Sequence, residues 1–174
     1  DRRELLLNTF LRDFRPVPGM SGVFRLWAER GASFHYVSSS PWQLFEPLRA
    51  LLERDGFPRG SFHLREFRLK ERSTLEHLSG SEIEKRTIIE GILETFPGRK
   101  FLFVGDSGER DPEMYGDLAR RYPGQTMAVF IRNASGESPR SERMQAAFNG
   151  LNPGQWRLFD EADELLHDET VLSV

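Results

Sequence analysis

A pair of carboxylates follows an apolar stretch near the middle of the chain. The string FLFVGDSGERD (101–111) runs from four apolar residues into Gly105 and Asp106, and a second acid, Asp111, comes five positions later. Two carboxylates on a loop that contains glycine suit Mg²⁺, a hard ion that prefers oxygen ligands and usually keeps several waters. Each acid alone is also ordinary turn or helix-capping chemistry. The pair therefore predicts a metal site only in company with other residues.

Hydroxyl and cationic side chains stand at comparable places elsewhere in the chain. Three serines (38–40) follow the β-rich run FHYV, Arg132 follows MAVFI, and Lys85 opens the helical pattern that leads into FLFV. Hydroxyls can hydrogen-bond phosphoryl oxygens, and a lysine can balance their charge. Serines, a lysine and a metal-binding acid pair together indicate phosphoryl transfer, in which positioning and charge neutralisation dominate.

The elements that must position these residues alternate between strands and helices. Strands are predicted at 34–37, 61–69, 101–104, 127–132 and 155–159, and helices at 2–14, 20–30, 42–56, 85–96, 112–123, 141–151 and 160–166. FLFV and MAVF are apolar on both faces, which is typical of a parallel sheet covered by helices. Ligands of such folds collect at the carboxyl ends of the strands. The sequence therefore predicts an α/β protein whose site lies at that edge.

Composition excludes several classes of protein. The chain has 174 residues, a formal net charge of −3 and no cysteine. These values exclude disulfides, thiolate metal sites and a cysteine nucleophile, and they give no electrostatic case for nucleic-acid binding. No apolar run has the length of a membrane span, so we expect a cytoplasmic domain. The four histidines (35, 63, 77 and 167) show no metal-ligand spacing, and His35 is expected to be an ordinary core residue of a strand.

Four strings resemble a known family. FHYVSSSPWQLFEPL, GFPRGSFHLREF, EKRTIIEGILETFPGRKFLFVGDSGERDPEMY and FIRN resemble the phosphatidate phosphatases first described from a yeast actin-patch protein, within the haloacid-dehalogenase superfamily. The resemblance implies a three-layer α/β/α Rossmann-like sheet. It also implies Mg²⁺-dependent hydrolysis of phosphatidate to diacylglycerol through an aspartyl-phosphate, with a phospholipid as substrate and a peripheral contact with the membrane.

The same resemblance assigns roles to individual residues. Ser38 corresponds to the hydroxyl that binds the transferring phosphoryl group, and Lys85 to the cation that steadies its charge. Asp106 corresponds to the metal-ligating acid and Asp111 to its supporting acid, while Ser39 and Arg132 are expected to bind substrate. Lys70 is the weaker choice for the cation, because no core helix is predicted to follow it directly.

One motif of the superfamily is missing from these 174 residues. Its strand ends in Asp-x-Asp-x-Thr or Val and carries the nucleophile and the general acid, and no such string occurs here. FDEADEL (159–165) is no substitute, because Asp160 and Asp163 have the wrong spacing and are expected at the cap and first turn of the last helix. The missing strand would be central, between FHYV and FLFV, which would otherwise lack a ladder partner. We expect it upstream, and expect this fragment alone to be inactive.

The expected organisation is a single domain over 1–174, with a flap or small cap at 1–18 and a core at 19–174. Apolar residues of the opening helix, with arginines nearby, could contact acyl chains and anionic headgroups, although burial of an ordinary apolar stripe is the alternative. Three functions remain open at this point. They are a phosphatase of phosphatidate, a phosphatase of a soluble phosphoester, and a non-catalytic domain that binds a phosphorylated lipid or a protein partner.

Overall fold

The computed structural model of the chain describes residues 16–65, 74–166 and 168. Three sequence predictions fall outside the described residues. They concern the helix at 2–14, nearly all of the flap assigned to 1–18, and Lys70. The chain divides into two compact units, the first reaching Lys85 and the second beginning at Arg86. Within the described parts of the chain, no helix combines the length and the apolar character that crossing a bilayer requires.

The first unit is built around a pair of parallel strands. Its elements are α1 (Met20–Glu29), β1 (Phe34–Pro41), a 3₁₀ turn (Trp42–Leu44), α2 (Phe45–Arg54), β2 (Gly60–Arg65) and the start of α3 (Thr74–Thr95). Strand β1 pairs with β2 in parallel register, with His35 opposite Ser61 and Val37 opposite His63. The strand predicted at 34–37 is therefore longer than expected, and it includes the serines that were expected to follow it.

Aromatic packing covers one face of this two-stranded sheet. Phe24 of α1 stacks on Phe34 with ring centroids 5.2 Å apart, and Tyr36 contacts Phe62 across the two strands at 5.2 Å. Because side chains alternate along a strand, His35 and His63 project to the opposite face. That face of the sheet carries polar groups at neighbouring positions.

The second unit contains a three-stranded parallel sheet. After the end of α3 come β3 (Phe101–Asp106), α4 (Asp111–Arg121), β4 (Thr126–Arg132), α5 (Glu142–Ala147), β5 (Trp156–Phe159) and a 3₁₀ turn (Ala162–Leu165). The strand order is β3-β4-β5, and both pairings are parallel. Residues 128–131 of the middle strand are at most 1% exposed, as a strand covered on both faces requires. The predicted α/β class with parallel strands is confirmed, and the haloacid-dehalogenase layering stays a prediction.

The start of one predicted helix and the type of another were wrong. Helix α3 begins at Thr74 rather than at Lys85, so part of the polar segment between the strand predicted at 61–69 and the helix predicted at 85–96 is helical. Its leucines and glutamates are good helix formers, and polarity alone does not indicate a loop. The predicted final helix is a 3₁₀ turn. Its N-cap residue is Glu161 rather than the expected Asp160, and Glu161 forms a capping box with Glu164. The carboxylate of Asp160 instead accepts a hydrogen bond from Asn133 at 3.0 Å.

Candidate functional site

The loop that joins β3 to α4, residues 105–111, is closed by its own two acids and is called the acidic loop below. The backbone N–H of Asp106 donates to Oδ2 of Asp111 at 3.1 Å. The N–H of Gly108 donates to Oδ1 of Asp106 at 2.8 Å. One carboxylate therefore holds the end of the strand, and the other holds the turn that follows it.

The glycine before Asp106 is required by the close approach of Asp111. A Cβ atom at position 105 would lie 2.7 Å from Cβ and Cγ of Asp111, closer than side-chain atoms approach one another. The absence of a side chain lets Asp111, only 5% exposed, pack its carboxylate against the end of β3. Helix α4 receives no side-chain cap from its N-cap residue, Arg110. The carboxylate of Asp111 thus stabilises the strand end, which a simple helix cap would not do.

Arg132 lies beside Asp106 at the carboxyl ends of two neighbouring strands. The two residues are register partners in the β3–β4 pairing. The N–H of Ser107 donates to the carbonyl of Arg132 at 2.9 Å, which extends the pairing by one residue. Three predicted site residues, Asp106, Asp111 and Arg132, are therefore brought together at the expected edge of the sheet.

A buried serine ties the acidic loop to the segment after β4. Ser107 is 1% exposed, and its hydroxyl accepts the N–H of Ser135 at 3.0 Å and the hydroxyl of Ser135 at 2.6 Å. Its carbonyl accepts from Nη1 of Arg143 at 2.7 Å. Sequence reasoning missed these supports, because nothing in the local pattern links residues 28 or 36 positions apart.

Arg143, on α5, is the main cation beneath the acidic loop. It forms a two-pronged ion pair with Glu113 at 2.9 and 3.1 Å, and contacts Glu137 at 2.6 Å and the carbonyl of Glu109 at 2.6 Å. Hydrogen bonding to Glu113 raises the pKa of Arg143 despite partial burial. Partial burial would raise the pKa of Glu113, but the hydrogen bond and charge of Arg143 outweigh it and lower that pKa. The pair stays ionised and holds α4, α5 and the loop together.

The acidic loop has a negative field that reaches its neighbours. Tyr115 is buried, stacks on Phe103 at 5.1 Å, and donates to the carbonyl of Val104 at 3.4 Å. Burial raises the pKa of Tyr115 well above its usual value, and the charges of Asp111, Glu109 and Asp106 raise it further. The carboxylates of the acidic loop therefore lie close enough to Tyr115 to disfavour its ionisation.

Serines 38–40 lie at the irregular end of β1. The hydroxyl of Ser38 donates to Oγ of Ser40 and accepts the N–H of Ser40, both at 3.1 Å. The strand register shifts between Ser38 and Pro41, and Ser39 is exposed. Trp42, two residues after Ser40, is 58% exposed, so most of its ring is not buried against the sheet.

Lys85 lies in the interior of α3 rather than at its start, where the sequence had placed it. Its neighbour Glu84 pairs with Arg65 of β2 at 3.0 Å. Among the predicted site residues, Lys85 belongs with Ser38 and Ser39 to the first unit, whereas Asp106, Asp111 and Arg132 belong to the second. The roles assigned to these six residues stay predictions.

The donor chemistry of the acidic loop fits a hard cation. Within 16–65, 74–166 and 168, no group of three or more His, Cys, Asp or Glu residues is arranged to hold a metal. Asp106 and Asp111 each accept a backbone N–H with one carboxylate oxygen. A carboxylate has about four lone-pair positions on its two oxygens, so accepting one hydrogen bond does not prevent it from binding a cation. Mg²⁺ is commonly bound by one or two carboxylates, with substrate phosphate and water completing its shell.

Parallel strands with an acidic loop at their carboxyl ends define an α/β protein with carboxylates at that edge of its sheet. Residues 1–133 match the family described as the catalytic domain of the phosphatidate phosphatase APP1, and the chain belongs to that family.

Individual relatives agree with this assignment. The chain is 35% identical over 138 residues to the phosphatidate phosphatase APP1 of Saccharomyces cerevisiae, which covers 78% of this chain and 23% of the yeast protein. It is 30% identical over 118 residues to an uncharacterized protein of Schizosaccharomyces pombe, covering 67% of this chain and 19% of that protein. The chain thus spans about a fifth of the length of these relatives. No solved structure matches the chain.

Proposed function

We propose that the chain forms part of the catalytic domain of a Mg²⁺-dependent phosphatase that hydrolyses phosphatidate to diacylglycerol. Membership of the phosphatidate phosphatase family supports the substrate and the reaction. The observation that carries the proposal is the acidic loop, in which Asp111 braces the backbone of Asp106 at the end of β3. A braced carboxylate at a strand end is suited to a metal–phosphate site.

The proposed chemistry proceeds through an aspartyl-phosphate. A carboxylate attacks phosphorus, the P–O bond to diacylglycerol breaks, and the departing alkoxide takes a proton from a general acid. Water then attacks the phosphorus of the acyl phosphate, releasing inorganic phosphate and restoring the carboxylate. The chain contains no Asp-x-Asp string, so both of these groups would come from outside these 174 residues.

The residues of this chain bind and neutralise the phosphoryl group. Ser38 donates its hydroxyl to a phosphoryl oxygen, Lys85 supplies positive charge as the P–O bond breaks, and Ser39 and Arg132 bind the substrate. Asp106, braced by Asp111, would hold Mg²⁺, which when bound supplies charge neutralisation of the phosphate oxygens. The exposed ring of Trp42, which follows the end of β1, supports contact with a lipid surface, because indoles favour membrane interfaces.

The test is made on the full encoded protein. Asp106→Asn removes a charged metal ligand and keeps the size of the side chain. We expect it to lower phosphatidate turnover about 100-fold or more and to raise the Mg²⁺ concentration required. Asp117→Asn on α4 is the matched control, since Asp117 pairs with Arg86 and has no proposed role in catalysis. Normal activity in Asp106→Asn would remove Asp106 from the metal site.

Substrate comparison separates the two enzymatic alternatives. Phosphatidate in mixed micelles and a small soluble phosphate ester are offered to the same preparation. Higher kcat/KM on phosphatidate supports the lipid substrate, and higher kcat/KM on the soluble ester would contradict it while leaving the phosphatase reaction intact. A full protein that contains no Asp-x-Asp motif and hydrolyses neither compound would contradict the phosphatase reaction itself.

A further inference from the structure

Two histidines that are far apart in the sequence lie on neighbouring strands, and both contact the same serine. Nδ1 of His35, on β1, lies 2.7 Å from Oγ of Ser61, on β2, and Nε2 of His63 lies 3.0 Å from the same oxygen. The two ring nitrogens are 3.4 Å apart. These three residues are called the histidine–serine cluster below.

Parallel pairing of β1 and β2 produces this cluster. His35 is the register partner of Ser61, and His63 is two residues further along β2, so all three side chains lie on one face of the sheet. The aromatic residues of both strands occupy the other face. The two histidines are partly buried and Ser61 is exposed, so the cluster has a solvent-facing side through which a small ligand can enter.

The distance between the two nitrogens matches the distance between neighbouring ligand atoms of one transition-metal ion. With Zn–N bonds of about 2.0–2.1 Å, nitrogens 3.4 Å apart subtend roughly 110° at the ion, which is near the tetrahedral angle. Both nitrogens lie within hydrogen-bond distance of the Ser61 hydroxyl, which occupies the position beside them. Rotation of that exposed side chain would vacate the position without any movement of the backbone.

We propose that His35 and His63 form a binding site for a borderline divalent transition metal such as Zn²⁺. Imidazole nitrogen suits Zn²⁺, Cu²⁺ and Ni²⁺, whereas Mg²⁺ prefers oxygen. The ion lies between the two rings, nearer to them than the Ser61 hydroxyl that it displaces, is held by Nδ1 of His35 and Nε2 of His63, and completes its shell with water. Each ring then carries its proton on the opposite nitrogen, Nε2 of His35 and Nδ1 of His63.

The protonation state of the two imidazole rings favours the binding of a metal ion. Metal binding needs neutral imidazoles, and burial lowers the pKa of both His35 and His63. The neighbouring ring lowers the pKa of His63 further. Neither ring belongs to the proposed phosphatase site, so the inference stands independently of that function.

The experiment is a titration of the full encoded protein, freed of metal by chelation, with Zn²⁺ in excess Mg²⁺. Excess Mg²⁺ occupies the carboxylate oxygens, so that the measured binding of Zn²⁺ comes from nitrogen-rich sites. We expect one equivalent of Zn²⁺ to bind, and His35→Gln or His63→Gln to weaken that binding about tenfold or more. Ser61→Ala should bind at least as tightly as the wild type, because the hydroxyl no longer competes for the position.

The double variant His77→Gln/His167→Gln is the matched control, since it removes the same number of imidazoles elsewhere in the chain. It should retain the bound ion. Zn²⁺-dependent shifts of the ¹⁵N signals of Nδ1 of His35 and Nε2 of His63 provide a second readout that needs no substitution at the site. Unchanged ¹⁵N shifts at a saturating concentration, or equal Zn²⁺ affinity in the wild type and both single variants, would overturn the proposal.

Discussion

Asp111 illustrates how one buried carboxylate can prepare another for a ligand. The N–H of Asp106, at the end of β3, donates to the carboxylate of Asp111. Loss of that acceptor would cost free energy, because a backbone donor near the interior would lose its hydrogen bond. The same contact fixes the direction in which the chain leaves the strand. If Asp106 holds the proposed Mg²⁺, its carboxylate is thereby aligned before the ion binds, which reduces the ordering that binding requires.

The choice between two lysines can be tested at this scale. If Lys85 balances the phosphoryl charge, Lys85→Ala should lower the turnover of the full enzyme about 100-fold or more, because charge stabilisation in the transition state is lost. Lys70→Ala is the paired variant and should leave turnover close to normal. Steady-state kinetics on phosphatidate measure both, and the reverse ranking would move the cation role to Lys70.

At the scale of elements, Arg143 joins segments that lie far apart along the chain. Its guanidinium contacts α4 through Glu113, the segment before α5 through Glu137, and the acidic loop through the carbonyls of Ser107 and Glu109. Its planar group can satisfy several acceptors at once, which a lysine ammonium at the same position cannot do with the same geometry. The position of the acidic loop therefore depends on α5.

Arg143→Lys tests this dependence. We expect the free energy of unfolding of the second unit to fall by about 1–3 kcal/mol, because several hydrogen bonds to a charged group are lost or weakened. Amide exchange at Asp106 and Gly108 should become faster. Arg49→Lys on α2, whose partners Glu46 and Glu53 are exposed, is the control and should change stability by less than about 1 kcal/mol. Equal effects of the two substitutions would contradict a special role for Arg143.

At the scale of the whole molecule, two sets of groups make stability depend on pH. Burial lowers the pKa of His35 and His63 below the usual 6.5, so the unfolded chain binds protons first as the solution is acidified. Their contribution is fully present above about pH 6.5 and is lost as the pH falls toward their lowered values. Glu113 and Glu137 have pKa values lowered from 4.5, and their contribution is lost only below that pH.

Acidification should therefore reduce stability in two steps. Thermal unfolding measured at intervals between pH 8 and pH 3 follows both steps. The first is expected below the ordinary pKa of histidine and the second below that of glutamate. The double variant His35→Gln/His63→Gln should lack the first step and retain the second. A first step of unchanged size in this variant would show that other groups are responsible for it.

The sequence by itself determined the strands and the position of the acidic loop. Apolar runs such as FLFV and MAVF indicate strands covered on both faces, and Gly105 with Asp106 marks the end of one of them. These signals are local, because side-chain periodicity and turn chemistry depend on residues a few positions apart. Strand type, parallel direction and the meeting of Asp106 with Arg132 were predictable for that reason.

The tertiary structure alone decided the contacts that depend on register and on long-range packing. Polar composition misplaced the start of α3, and no spacing predicted that Arg143 would support the acidic loop. The histidines were dismissed on spacing, yet the pairing of β1 with β2 places His35 and His63 side by side although they are 28 positions apart. Register is set by the summed packing of both faces of a sheet, so no window of sequence contains it.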